Sequence, residues 1–193
     1  TISNSSLYDS VSGIYVDGPN AYYDSSLVIM RNANYARKSE RSVYIEVFNN
    51  QGNRIINQDA GIRIFGGMTL YFPEKSLKFI ARNKYGSSRF NANIFNEGKK
   101  KYKQFILRHS GNDYLDTRFK DVLSTTLAAN VGLDIQSSEP SHLFVNSEYW
   151  GVYNIREKIN EYYINNKYDC GTQGIDILPV SYTHLTLPTN TVV

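Results

Sequence analysis

The amino-acid sequence predicts an α+β fold, in which one principal helix packs on a mostly antiparallel sheet. Three observations predict it: strand-like alternation within residues 43–107, a helical apolar pattern over residues 117–131, and a hairpin pattern over residues 142–155. A run of strands followed by a helix and a hairpin favours α+β over repeated βαβ units. The chain has 193 residues, 41% of them hydrophobic, which is enough for one domain with a sizeable core.

The strands are predicted by apolar residues that recur at every second position, which is the period of a strand with one buried face. The alternation occurs at Val43, Ile45 and Val47, at Ile62 and Ile64, and at Phe105 and Leu107. Residues 49–53, with the sequence NNQGN, predict a turn between the first two of these strands. Gly66 and Gly67 predict a second turn, directly after the strand that contains Ile64.

A further strand is predicted after Pro73, which can begin a strand but not lie centrally in one. By the two-residue period, Lys75 shares a face with Leu77, Phe79 and Ala81. Lys78 points to the opposite face. An ammonium on the inner face of a sheet needs an anionic partner, so Lys75 is a candidate ligand for an anion. The alternative is a lysine that extends its ammonium to solvent at the start of a strand.

The principal helix is predicted over residues 117–131, with Asp116 or Thr117 as its cap and Gly132 at its end. Its predicted buried stripe consists of Phe119, Val122, Leu123, Thr126, Leu127 and Val131. Residues 142–145 and 149–155 predict a hairpin around Asn146 and Ser147. A second helix is predicted over residues 157–166.

Composition excludes several classes of protein. The formal charge of +3, from 21 basic and 18 acidic residues, gives no electrostatic footprint for nucleic acid. A single cysteine, Cys170, excludes an internal disulfide and a cysteine-rich zinc site. No apolar run approaches the length of a membrane span. The first residue is Thr1 rather than Met, so we interpret the chain as a fragment whose compartment is not readable.

Several motifs follow one another in an order that is typical of one family. A Gly-Gly turn lets backbone N–H groups approach a phosphate, but alone it is a weak signal. The chain resembles the spore-coat protein CotH family of atypical protein kinases over nearly all of residues 13–178. The stretches that match are GIYVDGP, QDAGIRIFGG, FPEKSLKF, ILRHSGND, FKDVLSTTLAANVGLDIQ and LFVNSEYWGVYNIREKINEYYI.

This resemblance implies a kinase-like fold that transfers phosphate from ATP, with Mg²⁺ or Mn²⁺, to serines of protein substrates. Coat or surface proteins are the implied substrates, and a bacterial spore coat or cell surface is the implied location. The implied cofactor-binding residues are Gly66 and Gly67 over the phosphates, and Lys75 in contact with them. The acid that pairs with this lysine is Asp121 or Glu157, and the sequence leaves that choice open.

Each of these acids also has an ordinary structural interpretation. Asp121 suits the first turn of a helix, where the dipole favours a negative charge. Glu157 suits the exposed start of the second predicted helix.

Arg108 and Asp113 match the family's Leu-Arg-x-x-Gly-Asn-Asp motif, and the alternative is that they pair with each other within the loop. The chain departs from the usual family residues at His109, Lys120, Ser147 and Asn160.

The catalytic residues are unknown, and we expect them downstream of this chain. The family's Trp-Asp-x-Asp type motif is absent, since the single Trp150 lies in the predicted hairpin.

Residues 180–190 resemble translated sequencing-adapter DNA, although their alternation also fits a genuine strand. We therefore predict a partial nucleotide-binding domain over residues 1–179, an inactive fragment without its catalytic lobe, and a non-native tail over residues 180–193. The alternative is a noncatalytic coat or surface module on the same fold.

Overall fold

The computed structural model describes residues 1–98 and 100–177. Contacts divide the chain into two units, Thr1–Lys158 and Ile159–Val193, which are described separately. The strands of the first unit are β1 (Tyr22–Asp24), β2 (Ile29–Arg31), β3 (Arg41–Phe48), β4 (Arg54–Phe65), β5 (Ser76–Ile80), β6 (Phe90–Ala92), β7 (Lys100–Tyr102), β8 (Gln104–Arg108), β9 (Ser138–Val145) and β10 (Glu148–Glu157). Its helices are α1 (Asn4–Tyr8) and α2 (Lys120–Ala129), and the second unit contains α3 (Glu161–Tyr168).

A six-stranded antiparallel sheet organises the first unit, in the order β3-β4-β5-β8-β10-β9. Two short antiparallel pairs, β1 with β2 and β6 with β7, lie outside it. The α+β prediction of a mostly antiparallel sheet is confirmed. Local alternation was sufficient to predict β3, β4 and β8 because each has one apolar face, as the period of two requires.

The core lies on one face of this sheet, where directly opposed residues on neighbouring strands are apolar. Phe79 opposes both Ile62 and Phe105, and Leu77 opposes Leu107. The rings of Phe79 and Phe105 stack with centroids 5.3 Å apart. Residues outside the sheet complete this core, and they include Leu7, Ile14, Phe90, Ile94 and Phe95. We call this side the core face, and the other side carries the charged residues described below.

The predicted buried stripe of the principal helix is wrong. All ten residues of α2 are described, and none of them is buried. Phe119 is 51% exposed, Leu127 58% and Val131 76%. The apolar period shows that one side of the helix is apolar, but it does not show what covers that side. In this structure α2 is held by polar contacts of its first turn, whereas its apolar stripe faces solvent.

The ends of the helices also differ from the prediction. The N-cap of α2 is Phe119 rather than Asp116 or Thr117, and the first N–H of the helix, that of Lys120, donates to the Asp113 carboxylate at 2.9 Å. The hairpin is confirmed, with Asn146 at φ 50° and Ser147 at φ 71°, as a type I′ turn requires. The second helix does not begin at residue 157, which still belongs to β10.

In the second unit, α3 begins after Asn160. The side-chain oxygen of Asn160 accepts hydrogen bonds from the N–H groups of Tyr162 and Tyr163, at 3.1 and 3.0 Å. Asparagine is among the preferred N-cap residues, which explains this start. Cys170 is free and exposed. The predicted adapter tail, residues 180–193, lies outside the described residues.

Candidate functional site

Five cationic side chains belong to the side of the sheet opposite the core. Residues directly opposite each other on antiparallel strands share a face, and Arg63 opposes Lys78. Lys78 and Arg156 both oppose Ile106, so the three cations lie in one row across β4, β5 and β10. Arg108, two residues after Ile106, has the same orientation, and Lys158 follows at the end of β10. We call the set the cationic face: Arg63, Lys78, Arg108, Arg156 and Lys158.

Two of these cations are almost completely removed from solvent. Lys78 is 6% exposed and Arg156 is 1% exposed. The ammonium groups of Lys78 and Lys158 lie 5.9 and 5.8 Å from the centre of the Phe65 ring. Burial lowers the pKa of Lys158, and the positive charge of Arg63 lowers it further. Mutual repulsion of this kind is what a bound anion would relieve.

Asp121 connects α2 to this face. Its Oδ2 lies 2.9 Å from Arg156 Nη1 and 2.8 Å from Arg108 Nε. Burial lowers the pKa of Arg156, Asp121 opposes that effect, and Arg108 adds to it. The Nε of Arg156 is buried without a hydrogen-bond partner among the described residues. One carboxylate thus lies between two guanidinium groups, so these three side chains together carry a net positive charge.

The Gly66-Gly67 turn lies beside the same face. Gly66 has φ 150°, and a Cβ at this position would meet the Thr69 hydroxyl at 2.6 Å. Gly111 links this turn to Arg108. A Cβ on Gly111 would lie 3.1 Å from Arg108 Nη2 and 4.0 Å from Cγ2 of Thr69, the residue that lies against Gly66. Gly67 is exposed, and a Cβ there would meet nothing within 4 Å. The backbone of Gly67 is therefore open to a ligand from solvent.

The loop between β8 and α2 is fixed by charged contacts. Arg118 makes a bidentate pair with Glu74, with both N–O distances 2.8 Å. Burial raises the pKa of Asp113, but hydrogen bonds from Lys120 and Thr117 outweigh it and hold the pKa at about 2. Asp113 therefore stays ionised and accepts from the first N–H of α2. The alternative pairing of Arg108 with Asp113 is not what the structure shows, since Arg108 contacts Asp121 instead.

Lys75 lies outside the cationic face. Its Nζ donates to the carbonyls of Leu70 and Phe72, both at 2.8 Å, and lies 4.0 Å from the centre of the Tyr35 ring. The inward position is as expected, since Lys75 is 5% exposed. Burial lowers its pKa to about 8, with the charge of Asp17 opposing the shift. Its close partners are thus carbonyls and a ring, and neither Asp121 nor Glu157 contacts it among the described residues.

Glu157 is on the core face rather than at an exposed helix start. Glu157 belongs to β10 and opposes Phe105 of β8. Its Oε2 accepts from the Ser137 N–H at 3.3 Å. Burial raises the pKa of this carboxyl. The structure therefore brings together Asp121 and the Gly66-Gly67 turn with Arg108, but it separates both Lys75 and Glu157 from them.

Sequence reasoning missed Arg63, Lys78 and Arg156 as site residues. A signal for Lys78 was present, since the strand period placed it opposite Leu77 and Phe79. Arg156 gave no such signal, because its orientation depends on the register of β10 against β8.

His109 stabilises the start of β5 next to this site. It is completely buried, and its Nδ1 lies 2.6 Å from the Ser76 hydroxyl, which also accepts from the His109 N–H. Burial lowers the pKa of His109 to about 4, so the ring is neutral at pH 7.

The described residues contain no group of three or more His, Cys, Asp or Glu side chains that could hold a metal ion. No helix within residues 1–98 and 100–177 has the length and apolar character needed to cross a membrane. The cationic face is a candidate site for an anionic group.

The fold and the site define an α+β domain with a cationic face that includes two buried cations, a helix anchored to it by one carboxylate, and an open glycine turn. Comparison with protein families matches residues 62–183 to the family described as CotH kinase protein. This match includes the glycine turn, all five cations and α2. The chain belongs to the CotH kinase family, as the sequence motifs predicted. A search of curated proteins finds no match.

Proposed function

We propose that this chain is the nucleotide-binding part of a CotH-like protein kinase, which in complete form transfers phosphate from ATP to serines of a protein substrate. The observation that carries the proposal is the cationic face, where Asp121 pairs with Arg108 and Arg156. A triphosphate is the anion that a kinase must hold, and electrostatic stabilisation and positioning provide most of phosphoryl-transfer catalysis.

The contacts support a distinct role for each part of the site. Lys78 and Arg156 would contact phosphate oxygens, because both are buried on one face and charge-assisted hydrogen bonds are strongest away from water. Gly67 would offer its backbone N–H, since its surroundings are open. Asp121 would position Arg108 and Arg156 rather than contact the nucleotide. ATP itself would supply the phosphoryl group.

The five residues predicted from sequence remain candidates, and the geometry supports them unequally. Gly66, Gly67 and Asp121 belong to or adjoin the cationic face. Lys75 already donates two hydrogen bonds to carbonyls, so contact with phosphate would require it to exchange them. Glu157 would have to act from the core face. Mg²⁺ or Mn²⁺ is implied by the family, but the described residues offer no acidic cluster for it, so we assign no metal ligand here.

Two matched variants, Lys78→Met and Lys75→Met, test this proposal. Removing a charge-assisted contact costs about 1.5–3 kcal/mol, so Lys78→Met should weaken ATP binding about ten- to more than hundredfold. Lys75→Met should change the affinity less than about threefold. Calorimetric titration of ATP into both folded variants measures the difference. The opposite ranking would support the assignment of Lys75 from sequence, and unchanged affinity in both would remove the cationic face from the site.

A second candidate function is a noncatalytic interaction module. The exposed apolar stripe of α2, which includes Phe119, Leu123 and Leu127, favours it because such stripes commonly mark contact surfaces. The same titration separates the two candidates. A wild-type chain that binds no ATP, in the presence or absence of Mg²⁺, would favour the interaction module.

A further inference from the structure

Two cations face each other where the small β6-β7 ladder ends. Phe90 of β6 opposes Tyr102 of β7. Arg89 and Lys103, the next residues outward, therefore continue the ladder as a further cross-strand pair. Both side chains donate to one acceptor, the Ser88 carbonyl, from Arg89 Nη1 at 3.0 Å and from Lys103 Nζ at 3.4 Å. Because like charges directly opposite each other on antiparallel strands are destabilising, an anion beside this pair would relieve a real cost.

The ammonium of Lys103 is poorly compensated by these contacts. Burial lowers its pKa, and the positive charges of Arg89 and Arg82 lower it further. Its bond to the Ser88 carbonyl is long for an N–H···O hydrogen bond, and the acceptor is a neutral oxygen. An oxyanion beside Lys103 would replace that contact with a charge-assisted hydrogen bond, which is about twice as strong as a neutral one.

Arg82 is held near this pair by Glu40. The Glu40 carboxylate accepts from Arg82 Nε at 3.0 and 3.1 Å and from Nη2 at 2.9 Å, so Nη1 takes no part in the pairing. The same carboxylate lies 3.2 Å from Lys84 Nζ and accepts from the Tyr85 hydroxyl at 3.0 Å. Burial raises the pKa of Glu40, but the hydrogen bonds from these three side chains outweigh it and lower the pKa. One carboxylate is thus shared by two cations, and no carboxylate is among the groups that shift the pKa of Lys103.

This group of cations is open to solvent and lies apart from the cationic face. The side chains of Arg82 and Lys84 are 45% and 60% exposed. A Cβ on Gly86, in the loop between them and Arg89, would meet nothing within 4 Å. Arg82 follows β5 in extended conformation, four residues after Lys78 of the cationic face. At about 3.3 Å per residue, the two groups are about 13 Å apart along the strand.

We propose that Arg82, Arg89 and Lys103 form a second anion site, which binds a phosphoryl group. Lys103 Nζ and Arg89 Nη1 exchange the Ser88 carbonyl for phosphoryl oxygens, and the guanidinium of Arg82 adds positive charge beside them. A phosphoryl group suits the site better than a carboxylate, because it carries about two negative charges at pH 7 and three acceptor oxygens. The group comes either from inorganic phosphate or from a phosphoserine of a polypeptide, and both present the same chemistry to the site.

Titration of the full chain with inorganic phosphate tests the site, and backbone amide NMR signals report where the ion binds. The ionic strength is held constant with sodium chloride, so that general screening does not change. The amide signals of residues 86–89 and of Lys103 should shift together and saturate. Shifts that do not saturate at these residues, or that follow chloride equally well, would overturn the proposal.

A matched pair of variants, Lys103→Met and Lys101→Met, separates a site from general attraction to positive charge. Both remove one lysine charge from the same hairpin, but Lys101 opposes Asn91 rather than Arg89. Lys103→Met should weaken phosphate binding about tenfold, because it loses a charge-assisted contact, and Lys101→Met less than twofold. Equal effects would overturn the proposal. In phosphate-free buffer Lys103→Met should unfold at the wild-type temperature or above it, since the repulsion of Arg89 is removed; a lower temperature would show that the ammonium serves the hairpin instead.

A blocked peptide with the sequence Gly-Ala-phosphoserine-Ala-Gly, with its unphosphorylated counterpart as control, distinguishes the two sources of the group. Binding of the phosphopeptide that is tighter than that of inorganic phosphate, and is weakened by Lys103→Met, would assign the site to a polypeptide. Binding of inorganic phosphate that is equal or tighter would assign it to the free ion. Equal binding of the two peptides would overturn the proposal, because the phosphoryl group would then contribute nothing.

Discussion

The burial of Lys75 predicts how the stability of this protein depends on pH. A lysine has a pKa of 10.5 in the unfolded chain, and burial lowers that of folded Lys75 to about 8. Between these values the unfolded chain binds more protons than the folded one, so the free energy of unfolding rises with pH. Below pH 8 the full penalty of burying the charge is present, and it is relieved as the pH rises through 8 towards 10.5.

The magnitude follows from the size of the shift. One pKa unit corresponds to about 1.4 kcal/mol, so raising the pH from 7 to 9.5 should relieve about 2 kcal/mol of the penalty. Lys75→Met lacks this titration. The wild type should therefore gain about 2 kcal/mol relative to Lys75→Met over that interval, whatever the lost carbonyl contacts cost the variant at pH 7.

Urea unfolding of both proteins at closely spaced pH values measures this difference. Using the difference between the two proteins cancels other groups that titrate in the same range. Working below pH 10 also avoids the tyrosines, whose ionisation in the unfolded chain begins to destabilise the fold near that pH. A difference that stays constant within about 0.5 kcal/mol from pH 7 to 9.5 would show that the Lys75 ammonium is hydrated and would refute the reasoning.

Two further predictions concern the whole chain. The 193-residue chain alone should transfer no labelled phosphate to protein substrates with Mg²⁺ or Mn²⁺, because the acids that hold metal and orient the acceptor are expected downstream; transfer above the level of Lys78→Met would contradict this. Deleting residues 180–193 should leave the thermal midpoint unchanged within about 1–2 °C if they are adapter-derived, since surface changes outside packed contacts rarely exceed ±0.5 kcal/mol. A fall of about 10 °C on calorimetry would show that the tail is integral to the fold.

The sequence was a reliable guide to several strands, whereas the contacts of the candidate site depend on register and packing. Alternation predicted β3 and β8 because their pattern is local. The packing of α2 was not predictable, since an apolar stripe at Phe119, Leu123 and Leu127 looks the same whether another element covers it or not. The carbonyl contacts of Lys75 were not predictable, because the lysine precedes β5 and the strand period does not determine what surrounds a side chain there.

The register of the strand pairings explains why the cationic face was not predicted from the sequence. Arg63, Lys78 and Arg156 lie in one row only because three separate strand pairings bring them into line. A one-residue slip in any of them would move a cation to the core face. Such a constellation cannot be derived from spacing along the chain, although each residue could be assigned to a face once its strand was known.

The bond between Ile2 and Asn146 predicts a late step in folding. The two residues are 144 positions apart, so this contact closes a loop that contains most of the chain. Loop closure on that scale is rewarded only after the intervening strands have paired, because its entropic cost comes first. We therefore expect residues 1–2 to dock late in folding, after the strands of the six-stranded sheet have paired.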